Sequence, residues 1–401
     1  MAEKNLDFDT IVDRRNTNCL KYDFAEERNM PSDVLPLWVA DMDFKVSSYI
    51  QDALKTQAEH GIFGYSEMQD EYFEVIQKWM KERYNFDVNS RWLVKTPGIV
   101  FALGMAVKAF TNEGDGVLVQ QPVYYPFSEV IADNGRKVIS NTLVQDETGR
   151  YRMDYADLEE KIVRNNIKLC FLCNPHNPVG RVWTREELIQ FGDICYRHKV
   201  IVVSDEIHAD FVFEGKHQVF ANVKEEYKDI CIVATSPSKT FNIAGLQVSN
   251  IFILNPGIRS QFKKQIAAAG YSQLNVMGLV ATKAAYEHGG EWYDAMHAYI
   301  RDNIAYTKAF LKEHLPEIRI ADHQGTYLLW LDFRTLHLSD EELDKLIIHK
   351  AKLWLDSGSI FGDTGKGFQR INVACPRAIL TQALIKLEQA VHANIRYSIS
   401  L

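Results

Sequence analysis

The chain's 401 residues are 46% hydrophobic and 24% charged, a globular composition that excludes fibrous and disordered classes. A formal net charge of -8 with no long basic run argues against nucleic acid as a partner, although local amides and dipoles can still bind a small anion. No segment approaches the roughly 18–20 apolar residues of a membrane span. The opening MAEKNLDFDTIVDRR is charged from its third residue and has no apolar signal-peptide core, so a cytoplasmic protein is expected.

A chain this long exceeds what one hydrophobic core supports, so two domains are expected. The first 45 residues lack strong periodicity and are assigned to the smaller one. From about residue 90 to 255, short apolar runs alternate with amphipathic stretches. The runs predict strands at Val117–Val119, Lys137–Ser140, Ile167–Cys173, Val200–Ser204, Ile230–Ala234 and Asn250–Leu254. KLCFLC and VIVVS are apolar nearly throughout, as strands covered on both faces must be. Helices are predicted at Tyr155–Asn165 and at Thr184–His198, where Thr184 and Glu187 have the spacing of a capping box.

This alternation predicts an α/β fold with a mainly parallel sheet covered by helices. After about residue 290 the pattern changes to a long helix, Trp292–His314, then TYLLWLDF, a helix at Ser339–Lys350 and a last strand at Phe368–Cys375. That describes a smaller α+β domain. The division is therefore residues 46–290 for the large domain, with 1–45 and 291–401 forming the small one.

Six scattered cysteines make no disulfide framework. Cys170 and Cys173 form a C-x-x-C, but inside a buried strand residues three apart point to opposite faces, so packing is the expected role. The histidines show no H-E-x-x-H or other metal spacing, and no metal is expected.

Ligands of such sheets gather beyond the carboxyl ends of the strands, and four clusters fall there. Thr96-Pro97-Gly98 leads into the apolar helix IVFALGMAVKAF, making the free amides of Ile99 and Val100 candidates for an anion. Many helices begin with Pro-Gly for capping alone. The second cluster, Asn174-Pro175-His176-Asn177-Pro178-Val179-Gly180, is a stiff turn after a strand, useful where an Asn side chain must be held in place. Asp205 and Glu206 end an apolar strand and leave at least one carboxylate partly desolvated, in need of a positive partner. Lys239 stands among small and hydroxylated residues past another apolar strand, where desolvation makes an amine nucleophilic toward carbonyls. An anion-binding helix start, a fixed Asn, a buried Asp and a reactive Lys are the parts that pyridoxal phosphate requires.

N-P-H-N-P-V-G-R, S-D-E-I-H and S-P-S-K-T-F-N-I-A-G, in this order and spacing, resemble the class I/II aminotransferases of fold type I. W-V-A-D-M-D-F at Trp38–Phe44 and H-G-I-F-G-Y at His60–Tyr65 resemble one branch, the MalY/PatB-type cystathionine β-lyases, and the likeness runs from about Trp38 to Arg370.

The resemblance implies that Lys239 carries pyridoxal 5'-phosphate as a Schiff base and moves the substrate Cα proton. It implies that Asp205 pairs with the ring nitrogen, that Tyr124 stacks on the ring, and that His208 and Asn174 approach the ring oxygen. Ser236 and Ser238 would join Ile99 and Val100 around the phosphate. Arg370, with Asn174, would grip the substrate carboxylate through its guanidinium fork. Tyr65 would reach the phosphate of a neighbouring subunit, making the protein a homodimer with sites at the interface. One departure stands out: the phosphate-binding Arg that many aminotransferases carry eight residues after the lysine is Gln247 here.

The implied activity is β-elimination at sulfur amino acids such as L-cystathionine, releasing homocysteine, pyruvate and ammonia. The alternative is an aminotransferase using a 2-oxo acid acceptor, since fold does not settle reaction. A DNA-binding regulator built on this fold would need a basic helix-turn-helix segment, which the acidic N-terminus lacks.

Overall fold

The computed structural model describes residues 3–399. Seven strands form the main sheet: β1 (Leu93–Thr96), β2 (Gly116–Val119), β3 (Lys137–Ser140), β4 (Leu169–Cys173), β5 (Ile201–Asp205), β6 (Cys231–Thr235) and β7 (Ser249–Ile253). Their order is β1-β7-β6-β5-β4-β2-β3. The run from β6 to β3 is parallel, and β7 is antiparallel to both of its neighbours.

Every residue of β4 and β6 is buried, so apolar side chains are required on both faces. Along β4, Cys170 and Leu172 enter one core while Leu169, Phe171 and Cys173 enter the other. The C-x-x-C thiols therefore lie on opposite faces, and burial pushes both upward in pKa. One sheet strand, β1, has no counterpart among the predicted ones. It is a four-residue edge strand with alternating half-buried positions, too short and mixed to stand out. Asp205, predicted just past its strand, is the last residue of β5, because the ladder continues to a Cys173–Asp205 pair.

The helices covering the sheet include α1 (Ile99–Phe110), α2 (Tyr155–Arg164) and α3 (Arg185–Arg197). The capping box of α3 forms as predicted, Thr184 accepting from Glu187 N and Glu187 from Thr184 N. Beyond it, α4 (Gly290–His314) and α5 (Arg377–Ile399) accompany a second, antiparallel sheet of β8 (Arg319–Ile320), β9 (Leu328–Asp332), β10 (Asp356–Ser357) and β11 (Phe368–Asn372), in the order β8-β9-β11-β10. The helix predicted over Ser339–Lys350 begins with a capping box at Ser339 and Glu342, then widens into a π turn at Leu346–Lys350.

The N-terminal segment packs with this second sheet. Leu35–Pro36 pairs in parallel with Leu353–Trp354, and the Trp38 ring stacks on Trp354 at 4.5 Å. From Trp38 to Phe44 the chain runs as a strap whose backbone is held by side chains, not by a sheet ladder. Asn372 Nδ2 donates to Val39 O and Asp41 O at 2.6 Å each, and Tyr327 donates to Ala40 O at 2.9 Å. Asn242 accepts from Met42 N and donates to Met42 O and Phe44 O, each at 2.9 Å. Asp43 sits beneath, bound by the fully buried Lys21 at 2.8 Å and by Arg14 at 2.7 Å. Such buried charges are tolerable only when paired this closely.

Asn242 adopts a left-handed backbone with φ 56°, which Asn tolerates better than a residue with an ordinary Cβ. Asn242→Ala therefore loses three hydrogen bonds and adds backbone strain. Urea denaturation should show a loss on the order of 2–4 kcal/mol.

Candidate active site

Five loops converge at the carboxyl ends of the main sheet, where side chains leave the ladder and become free to face a ligand. Lys239, Asp205, Tyr124, His208 and Ser238 line one pocket, together with Ile99 and Val100 from the first turn of α1. These seven predicted site residues are brought together.

Lys239 leaves the short helix Pro237–Thr240 directly after β6. Its Nζ donates to the Ala40 carbonyl at 2.6 Å. Burial lowers its pKa from 10.5 to about 8, Arg370 adds to the fall, and the charges of Asp41 and Asp205 oppose it. Near neutrality such an amine exchanges its proton readily, which an exposed lysine does not.

Asp205 and Glu206 part at the end of β5. Glu206 turns away into the protein, accepting from Ser204 Oγ at 2.8 Å and Phe220 N at 3.0 Å and pairing with His217 Nε2 at 2.8 Å. Asp205 faces the pocket with one acceptor contact, from Ile207 N at 3.1 Å. Burial pushes its carboxyl up to about 7, Glu206 adds to that, and Lys239 pulls the other way. His208 is buried, and its Nδ1 has no partner among the described residues. Burial, then the charges of Lys239 and Arg370, hold it well below its ordinary pKa and thus neutral.

At the start of α1, Gly98 has φ 137°, a region that L side chains rarely adopt, and a Cβ built there would meet nothing within 4 Å. The backbone thus borders open space, with the unpaired amides of Ile99 and Val100 beside it. Ser236 caps the lysine turn by accepting from Ser238 N, and its Oγ lies 2.7 Å from Val248 O and 2.8 Å from Ser238 Oγ. Ser238 lines the pocket; Ser236 stands behind it.

Three more of the expected site residues lie outside the lining of this pocket. Asn174 does not line the pocket: its Nδ2 donates to Gln218 O at 2.9 Å, and its buried Oδ1 has no partner among the described residues. Asn177, the Asn of the second Asn-Pro pair, lines the pocket instead and accepts from Arg370 Nη1 at 3.0 Å. The paired N-P spacing was the available signal, but it could not say which Asn faces inward. Arg370 on β11 is buried and set behind Asn177, donating to Trp38 O at 3.0 Å and forming an ion pair with Asp356. Its Nε has no partner. Tyr65 stays out of its own chain's pocket: it is 98% exposed, in an extended stretch that also exposes Ile62 and Phe63. The left-handed Gln247 borders a separate cleft with Tyr65 and Pro97. Ala40 and Tyr327 are further site residues to which the sequence assigned no role, although Ala40 lies within W-V-A-D-M-D-F, because they act through a backbone carbonyl and a hydroxyl that reaches it.

The family described as aminotransferase class I and II matches residues 32–387. The chain is 41% identical to cystathionine beta-lyase PatB of Bacillus subtilis over 387 residues, which are 96% of this chain and 100% of that protein. It is 34% identical to protein MalY of Escherichia coli, over 96% of this chain and 99% of that one. Among solved structures, cystalysin from Treponema denticola, which contains a pyridoxal 5'-phosphate cofactor, matches with TM-score 0.93 and 39% identity over 96% of this chain and 99% of its own. The pocket fits such a group: it offers open space beside free amides at Gly98, an unpartnered His208 Nδ1, a carboxylate without a cation and a reactive amine.

The position of Asp205 has a consequence for stability. Its folded pKa lies above the ordinary 3.8, so the folded state holds the extra proton and stability falls as pH rises from about 4 to 7. The full cost above that window is on the order of 4 kcal/mol. In cofactor-free protein at pH 8, Asp205→Asn should therefore raise Tm, with the gain vanishing near pH 4. An added cationic group at Asp205 reverses the sign.

Proposed function

The chain belongs to the class I and II aminotransferase family, and from that premise we propose that it is a pyridoxal-phosphate-dependent carbon–sulfur β-lyase. It cleaves sulfur amino acids such as L-cystathionine, releasing a thiol (homocysteine), pyruvate and ammonia. The observation that carries this reading is the buried Lys239 amine, lowered to about 8, in one pocket with Asp205 and the first amides of α1. Proteins named as cystathionine β-lyases that match nearly the whole chain support the choice of reaction.

Pyridoxal phosphate, when bound, supplies an aldehyde for amines and a protonated ring that accepts the electron pair left at the substrate Cα. Lys239 Nζ would hold the cofactor's aldehyde and, as a free amine, would take the Cα proton, with the Ala40 carbonyl orienting it at the pocket wall. Asp205 would hold the ring nitrogen, whose positive charge would offset the burial that otherwise protonates this carboxyl. Tyr124 covers the ring. His208 and Asn177 are the polar side chains for the ring oxygen, Asn177 replacing Asn174 in that role. The amides of Ile99 and Val100, with the Ser238 hydroxyl that Ser236 supports from behind, would bind the phosphate through dipoles and a hydroxyl, since Gln247 supplies no charge. Arg370, oriented by Asn177 and Asp356, attracts the substrate carboxylate. A thiolate leaves Cβ more readily than hydroxide or carbon, which favours elimination over reprotonation.

The protein is a homodimer in which Tyr65 reaches the partner's phosphate site. The exposed run of Ile62, Phe63 and Tyr65 supports this, because apolar side chains grouped on a surface mark a contact. The cytoplasm is its compartment, in keeping with free cysteines that are mostly buried and unpaired.

With L-cystathionine alone, the enzyme should release free thiol and pyruvate over many turnovers, and Lys239→Ala should lose nearly all of it. An aminotransferase would stop after one turnover until a 2-oxo acid was added, and that outcome would overturn the lyase reading. The dimer is tested by mixing. Lys239→Ala and Tyr65→Ala subunits, each inactive alone, should recover part of the activity as hybrids, because one site in each hybrid is free of both changes. Verified hybrids without recovery would place Tyr65 in its own subunit's site.

A further inference from the structure

Arg28 ends a 3-10 turn, Glu26–Arg28, on the N-terminal segment and is exposed. Among the described residues it forms no ion pair. Its guanidinium lies 5.1 Å from the centroid of the Trp38 ring, which is itself fixed by stacking on Trp354. The carbonyl of the same Trp38 receives Arg370 Nη2 at 3.0 Å. A single residue thus links two arginines, one against its ring and one against its backbone.

A second set of aromatic contacts runs from the pocket to Arg370. Tyr125 follows Tyr124 of the pocket, with their rings 5.5 Å apart, and its ring lies 6.0 Å from Phe361. The Arg370 guanidinium stands over Phe361 at 4.9 Å. After burial and Asp356, the hydroxyl of Tyr125 feels the positive charges of Arg370 and also of Arg28. An aromatic path therefore leads from the proposed substrate carboxylate site out to an arginine with no carboxylate of its own. A guanidinium packed on an aromatic face keeps its edge N–H groups free, and their fork matches a carboxylate.

We propose that Arg28 holds the distal carboxylate of a two-ended substrate, selecting sulfur amino acids whose leaving thiol itself bears a carboxylate. This rests on the β-lyase reading above and deepens it. L-cystathionine has the required form: an amino-acid carboxylate for Arg370 at one end, a thioether between, and a second carboxylate at the other. Arg28 touches only the part of the substrate that departs, so it is a specificity residue and takes no part in bond breaking.

The test compares kcat/KM for L-cystathionine with that for S-methyl-L-cysteine, whose leaving group has no carboxylate. In Arg28→Ala this ratio should fall about tenfold, through KM for L-cystathionine, and Arg28→Lys should recover part of it. Removing the carboxylate from the substrate should act like removing the arginine. Wild-type enzyme should therefore prefer L-cystathionine over S-(3-aminopropyl)-L-cysteine by about tenfold, and Arg28→Ala should not discriminate between them. An unchanged ratio, or discrimination that survives Arg28→Ala, overturns the proposal. Failure of the β-lyase reading is distinguishable, because the wild-type enzyme would then release no pyruvate from any of the three compounds.

Discussion

Lys239 reaches the Ala40 carbonyl at 2.6 Å, and Tyr327 reaches the same oxygen at 2.9 Å. A buried ammonium is thus held by a backbone acceptor instead of a carboxylate. A carboxylate in that place would hold the proton firmly and keep the amine charged. A carbonyl orients the amine without neutralising the burial that lowers its proton affinity. The carbonyl must itself be held still, which explains the effort spent on the strap from Trp38 to Phe44. Asn372 from the second sheet, Tyr327 from just before its strand β9 and Asn242 from beyond the lysine turn all bind its backbone. The two sheets are consequently joined through the segment that positions the lysine.

The charges around the pocket follow one rule: ionised groups that structure can neutralise are paired, and those meant for a ligand are left short of a partner. Lys21 and Arg14 satisfy Asp43, and Glu206 has Ser204, Phe220 N and His217. Asp205 has one backbone donor, His208 leaves Nδ1 unpaired, and Arg370 leaves Nε unpaired. Unmet polar groups in a buried place are costly unless something binds them. Buried polar atoms without a partner occur elsewhere among the described residues too, but Asp205 and His208 line the same pocket as the Lys239 amine.

In the proposed phosphate site, the neutral Gln247 would leave the burden of an anion to backbone amides and a serine hydroxyl. Those are fixed dipoles with little freedom to move, so the open backbone at Gly98 is indispensable: a side chain there would fill the space that the amides border. Solvent-exposed Tyr65 stands apart from every one of these groups within a single chain, and its proposed role depends on a second copy.

The sequence by itself determined the alternation that makes a mainly parallel sheet, because strands buried on both faces must be apolar throughout and their helices must be amphipathic. It also determined the chemistry-bearing residues at strand ends, since Lys239 and Asp205 interrupt apolar runs where nothing in the core could accept them. The edge strand β1 was not legible, as four residues alternating between half-buried and buried carry too little pattern to rise above a loop. The choice between Asn174 and Asn177 was decided only in three dimensions, since both precede a proline and only the path of the turn aims one of them at Arg370. Ala40 and Tyr327 had to wait for the tertiary structure as well. A carbonyl is common to every residue, and what makes this one matter is a contact between positions 199 residues apart along the chain. Local sequence encodes which groups can ionise and which segments are apolar; the partner that each buried group meets is set by packing.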